Sequence, residues 1–204
     1  ITRERGHKKR INVDLNLDIA SASGAYEGFA YPLENVTGRV EIHPFDAVFK
    51  SIRRPVGKGW ISLDGTLSYH KDEPVKPDLV VRAHDAPIDE NLFVALPGQE
   101  AQWMRKLQAK GLLALDGKIF LDDRNHAEPV VNYDLNFKLS DGSIKLGELE
   151  NAIAGISAVS RITREGMTIT QASGRHDQSP ITGDLKMDFP DEGASTFSLS
   201  MTAR

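Results

Sequence analysis

The sequence has 204 residues, 40% hydrophobic and 26% charged, with 25 Lys and Arg against 29 Asp and Glu and a formal charge of -4. This composition excludes wholesale disorder and a chain-wide nucleic-acid surface, and the absence of Cys excludes a disulfide scaffold, a thiol nucleophile and any Cys-ligated metal. No run approaches the about 20 apolar residues that cross a bilayer as a helix, and no apolar core follows the basic start Ile1–Arg10 as in a signal peptide.

Most of the chain is written with a period of two. Ile11, Val13, Leu15, Leu17 and Ile19 alternate with Asn12, Asp14, Asn16 and Asp18. Successive side chains of a strand point to opposite faces, so this segment predicts a strand with one apolar and one wet face. Ser23-Gly24 signals a turn, and a strand is expected at Gly38–Ile42. Ile61, Leu63, Leu67 and Tyr69 repeat the alternation around Gly65, and Leu79–Ala83 predicts the next strand.

The period breaks at Pro87. Asp89 is placed to cap a short helix carrying Leu92, Phe93 and Leu96, which Pro97-Gly98 ends. A second helix is expected from about Glu100 to Ala109, with Trp103, Met104 and Leu107 on one face and Gly111 as its stop. Alternation then resumes in Leu113, Leu115, Ile119 and Leu121 around Gly117, and in Tyr133, Leu135, Phe137 and Leu139. Asp141-Gly142 signals a turn, and Leu146–Ala154 reads as a third helical patch. Strands follow at Met167–Thr170 and at Ile181, Leu185, Met187 and Phe189 around Gly183; a Glu192-Gly193 turn precedes the last, Phe197–Ala203. Strands with one apolar face belong to antiparallel sheets whose other face meets water.

The chain also repeats itself. Asn12–Leu17 matches Asn132–Phe137, Leu33-Glu34-Asn35 matches Leu149-Glu150-Asn151, and Ile61–Gly65 matches Ser179–Gly183. These collinear markers lie at offsets of 120, 116 and 118 residues, too long a period for a propeller blade or a small solenoid. The expected architecture is mainly β: an extended, strongly twisted antiparallel sheet of two tandem repeats of about 118 residues, with two or three short helices. Residues 1–84 are expected to form the first repeat, 85–126 a helical insert and connecting strand, and 127–204 the second, in one continuous sheet. With no initiator Met and strand-like sequence so near its start, the chain reads as an interior piece of a longer one.

An apolar sheet face has to be covered by a second layer, by curling, or by a ligand. Leu15, Leu17, Val40, Ile61, Leu63, Leu135, Phe137, Ile181 and Leu185 are assigned to that face, lining either a closed protein core or a groove. Acyl chains are a suitable cover, since each buried CH₂ is worth about 0.8 kcal/mol.

Nothing in the sequence selects a catalytic constellation. The densest polar clusters are His84–Glu90 and Asp122–His126, and neither has the one-face ligand spacing of a metal motif. The first reads as a turn and helix cap, the second as a strand-connecting loop. There is no GxSxG elbow, phosphate-binding loop or dinucleotide fingerprint. Asp64 and Asp116 each precede a mid-strand Gly, which predicts a bulge or tight curvature rather than acid–base chemistry. The expectation is a non-enzyme with no catalytic residues, metal or cofactor. Two basic groups, Arg3–Arg10 and Lys50, Arg53, Arg54 and Lys58, read as solvated loops, with anionic lipid headgroups the alternative partner.

One longer string carries a resemblance. It comprises Tyr31-Pro32-Leu33, Val36–Val40, Gly59–Gly65, Leu79–Ala83, Pro87–Leu92 and Ala95-Leu96-Pro97; its second copy keeps Leu149, Gly155, Ile156, Met167–Ile169, Gly174 and Ile181–Gly183. Over nearly the whole chain this resembles the AsmA-like superfamily of bacterial envelope proteins, which includes TamB- and YhdP-type chains. The resemblance implies a periplasmic location, a parent chain anchored in the inner membrane, and a β-groove that binds or conducts phospholipid acyl chains between membranes. It implies no nucleic-acid partner, and the piece itself does not span a membrane. The alternative is a scaffold domain that meets an envelope protein partner through its sheet edges or the Trp103 helix.

Overall fold

The computed structural model describes residues 14–26, 29–71, 73–95, 105–122, 130–145, 151–190 and 196–203. Eleven strands form one sheet in chain order: β1 (Leu15–Tyr26), β2 (Phe29–Ile42), β3 (Asp46–Val56), β4 (Gly59–Ser68), β5 (Lys76–Pro87), β6 (Lys110–Asp122), β7 (Val130–Ile144), β8 (Ile153–Thr163), β9 (Gly166–His176), β10 (Ser179–Asp188) and β11 (Thr196–Ala203). Every neighbouring pair is antiparallel. One helix, α1 (Glu90–Ala95), follows β5.

The register sorts the side chains as the alternation requires. One row runs Ile61, Ala83, Leu115, Phe137, Ser160, Ile169, Leu185, Leu199 from β4 to β11. The adjacent row on the opposite face runs Ser62, Arg82, Asp116, Asn136, Arg161, Thr168, Lys186, Ser198 over the same strands. We call the first face inner because α1 packs on it. Ion pairs tie the outer face together across strands: Arg39–Asp18 at 2.6 Å, Arg82–Asp116 at 3.0 Å and Arg161–Asp134 at 2.8 Å.

The closed core is small and lies under α1. Val56, Ala83 and Ala86 are buried there, with Ile61, Leu92 and Leu115 packed against them. From the end of β5 the helix reaches over to β2, three strands away, and β3 touches β5 across β4. Val36 of β2 and Phe93 of α1 are buried as well. No side chain among the described residues is completely buried. A compact protein of this mass exposes about 9500 Å² by the usual scaling, and this chain exposes 14668 Å².

Several expectations need correcting. Ser23-Gly24 lies inside β1 rather than in a turn. Asp141-Gly142 lies inside β7, where the register slips between Leu139 and Gly142 and Asp141 takes φ 50°. Ile153 and Ala154 begin β8 and are not helical. Two strands, β3 and β8, were not predicted. Both contain register shifts, after Phe49 in β3 and before Val159 in β8, and a bulge interrupts the period of two that reveals a strand. Of the second expected helix only its end is described: Arg105 and Lys106 are helical and Leu107 turns. Trp103, Met104, Ile11, Val13, the basic run Arg3–Arg10, the Glu192-Gly193 turn and Asp123–His126 lie outside the described residues.

The register pairs of the first five strands recur in the last five with a spacing of 120 residues. Leu15↔Ile42 has Leu135↔Ile162 as its counterpart, and Gly24↔Leu33 has Ile144↔Ile153. Phe49↔Gly65 and Ile52↔Leu63, on either side of a bulge, answer to Ile169↔Leu185 and Ala172↔Gly183. Even the bulge's cap recurs: the Ser51 N–H donates to Asp64 Oδ1 at 2.7 Å, and the Gln171 N–H to Asp184 Oδ1 at 3.0 Å. Ser51 and Gln171 share a positive φ, 51° and 55°. At this spacing Ile153 stands in the place of Leu33, so the Leu149 marker is out of step; Leu185, not Gly183, answers to Gly65.

Candidate functional site

All nine residues assigned to the apolar face lie on the inner face, because their register partners chain together. Leu17 pairs Val40, Val40 pairs Phe49, and Phe49 pairs Gly65 beside Leu63. Leu63 then leads through Val81, Gly117 and Leu135. Ile61, Phe137 and Leu185 share the row given above, Leu15 pairs Ile42 next to Val40, and Ile181 lies two residues before Gly183 in the same strand face. They do not share one environment. Ile61 packs against the core beneath α1, Leu15 and Leu17 are exposed at the β1 edge, and Ile181 and Leu185 line an open trough.

That trough is an open apolar concavity. It lies over β8 to β11, encloses about 210 Å³ and is lined almost wholly by carbon. Ile144, Ile153 and Ile156 form one wall; Ile169, Leu199 and Met201 join Ile181 and Leu185 on the floor and the other wall. Glycines keep the floor low: a Cβ on Gly174 would meet Ile153 and Ile156 at 3.2 Å, and one on Gly183 would meet the Ser200 carbonyl oxygen at 2.7 Å. At its β11 side the apolar surface is open to water, with Phe197 74%, Leu199 56% and Met201 57% exposed. The β8 wall was missed in the sequence because Ile153 and Ile156 straddle Gly155, at φ 61°, and so break the alternation.

The polar clusters are accounted for by local structure. The Asp89 Oδ1 accepts the Leu92 N–H at 3.1 Å, capping α1, and Glu90 accepts from the Arg105 Nε at 2.9 Å. This pairing holds the Glu90 carboxyl below its ordinary range. His84 stacks on Trp60 with ring centroids 6.2 Å apart, and Arg53 lies 4.4 Å from the Trp60 ring on the outer face. Lys50 pairs with Glu41 at 2.6 Å, while Arg54 turns to the inner face and is buried, so Lys50, Arg53 and Arg54 lie in strand β3 and not in a solvated loop. Asp64 caps the β3 bulge; Asp116 has no bulge beside it and pairs with Arg82. Hydrogen bonding to Arg161 lowers the Asp134 pKa, and hydrogen bonding to Asp14 raises that of His43. Among the described residues no three His, Asp or Glu side chains gather as metal ligands, and no helix is long and apolar enough to cross a membrane.

Compared with known proteins, the chain matches no family model, no curated protein and no solved structure.

Proposed function

We propose that this chain is a non-enzymatic module, two tandem copies of one β unit, whose inner face holds the hydrocarbon tails of lipid. The observation that carries the reading is the trough of Ile153, Ile156, Ile181, Leu185 and Leu199, an apolar lining left open on the inner face of the sheet. The lining supplies no hydrogen-bonding pattern for a polar ligand, and an extended alkyl chain needs none. The recurrence of register, bulge and bulge cap at 120 residues supports the tandem-unit reading. The resemblance to the AsmA-like superfamily supports a place in the bacterial periplasm, in a parent chain anchored in the inner membrane, where such a face would bind or conduct phospholipid.

Native mass spectrometry of the purified chain, after incubation with phospholipid vesicles, tests this. Phospholipid adducts are expected, and Ile181→Asp with Leu185→Asp should remove them while the circular dichroism of the sheet is retained. Absence of adducts in the unsubstituted chain would sink the lipid reading.

A second reading has its own observation. β1 and β11 have no further strand beside them among the described residues, and β11 is exposed along its whole length. A free edge of this kind pairs with a strand from another chain, which is how a scaffold domain would engage an envelope protein.

A further inference from the structure

The trough occupies the place in the second half of the chain that α1 covers in the first. At the spacing of 120 residues, Val36, Ile61 and Ala83 correspond to Ile156, Ile181 and Ala203. In the first half Val36 and Ala83 are 8% and 9% exposed, with Ile61 packed against the same cluster beneath α1. In the second half Ile156 and Ile181 are only half-buried walls of the trough, and Ala203 is exposed. The apolar surface recurs, and among the described residues no helix lies over it. A second feature lies beside the trough, on the strand partner of its Ile153 wall. Val56, the most deeply buried member of the first core, has His176 as its counterpart, paired with Ile153 as the trough wall requires. His176 Nε2 is shut off from water and makes no hydrogen bond among the described residues, a state that is unfavourable until a partner group arrives.

We propose that the trough over β8 to β11 is the docking site of a short amphipathic helix with the chemistry of α1: an Asp cap, an adjacent Leu–Phe pair turned to the sheet, and a polar group within reach of His176. This rests on the tandem-unit reading above and not on the lipid reading. The occupant is a polypeptide helix because the first half shows what this surface accepts. There Leu92 packs against Val56, Ala83 and Ala86, Phe93 beside it is buried, and Asp89 caps the turn that carries both. A lipid tail and a docked helix would compete for the same walls.

The test appends a copy of residues 85–95 directly after Arg204, the position that the spacing assigns to it, and follows thermal unfolding and the methyl resonances of Ile156, Ile181 and Met201. The expected result is a Tm higher by about 3 °C, shifted methyl resonances and loss of phospholipid adducts. The same fusion with Leu92→Asp and Phe93→Asp in the appended copy should return all three to the values of the unfused chain. An unchanged Tm with unmoved resonances would overturn the proposal, even where phospholipid still binds. A raised Tm in a chain that never binds phospholipid would uphold it and discard the lipid reading alone.

Discussion

Gly117 is buried on the inner face between Val81 and Leu135, in the middle of a strand where any residue's backbone would fit. What excludes a side chain is space: a Cβ there would meet Leu135 Cδ2 at 2.5 Å and the Asp134 carbonyl oxygen at 2.7 Å. The expected cost of Gly117→Val is about 1–3 kcal/mol of overpacking, read as a lower urea midpoint at unchanged slope. Gly24, with nothing within 4 Å of its would-be Cβ, is the control, and Gly24→Ala should leave the midpoint where it is. A charged example is the 2.8 Å contact between His43 Nδ1 and Asp14 Oδ1. The hydrogen bond raises the His43 pKa above its ordinary 6.5, so the folded state binds the proton more tightly than the unfolded chain. The contribution is fully present below the ordinary value and is lost as pH rises through the folded value. Tm measured from about pH 5 to 9 should therefore show a gap between the protein and His43→Gln that closes as pH increases. A gap independent of pH would mean that the ring acts by packing alone.

At the scale of elements, α1 does work out of proportion to its six residues. Isolated helices of this length do not persist in water, so its stability comes from the Asp89 cap, from Leu92 packed on the core and from the burial of Phe93. Phe93→Ala is expected to cost about 3 kcal/mol, a fall in Tm of roughly 10 °C, and Asp89→Ala about 1 kcal/mol. Calorimetry on the two variants checks the order; equal effects would mean that the helix is held by its cap and not by its apolar contact. The strands divide in the same way between local and distant causes. β4 and β6 have unbroken alternation on their inner faces, Ile61, Leu63 and Leu67 in one, Leu113, Leu115, Ile119 and Leu121 in the other, and were readable directly. β3 was not, because its inner residues run Ala47, Phe49 and then Ile52, Arg54, Val56 across a bulge, with a buried Arg among them.

At the scale of the molecule the governing fact is an eleven-strand sheet with one apolar face and only a single short helix upon it among the described residues. Much of its inner face lies open among the described residues, with Leu199 56% and Met201 57% exposed. A bound hydrocarbon chain that occupied the trough would stabilise the folded state by mass action, so Tm should begin to climb once phospholipid exceeds the dissociation constant and keep rising with the logarithm of its concentration. Ile181→Asp with Leu185→Asp should flatten that dependence. The same accounting identifies the hazard: β11, exposed at Phe197, Leu199 and Met201 on a free edge, is the segment through which the chain would self-associate.

Much of this was written locally. The alternation of Leu15 and Leu17 with Asn16 and Asp18, or of Leu135 and Phe137 with Asp134 and Asn136, determined strand, face and antiparallel pairing, because a period of two admits no other regular backbone. The helix Glu90–Ala95 followed from its Asp89 cap and from the break in that period. The tertiary structure alone decided which inner residues are covered. Val36 and Ile156 have equivalent register partners and equivalent chemistry, yet one lies buried near α1 and the other walls an open trough. Burial depends on what a distant segment lays across the sheet, and the composition of a strand carries no record of that.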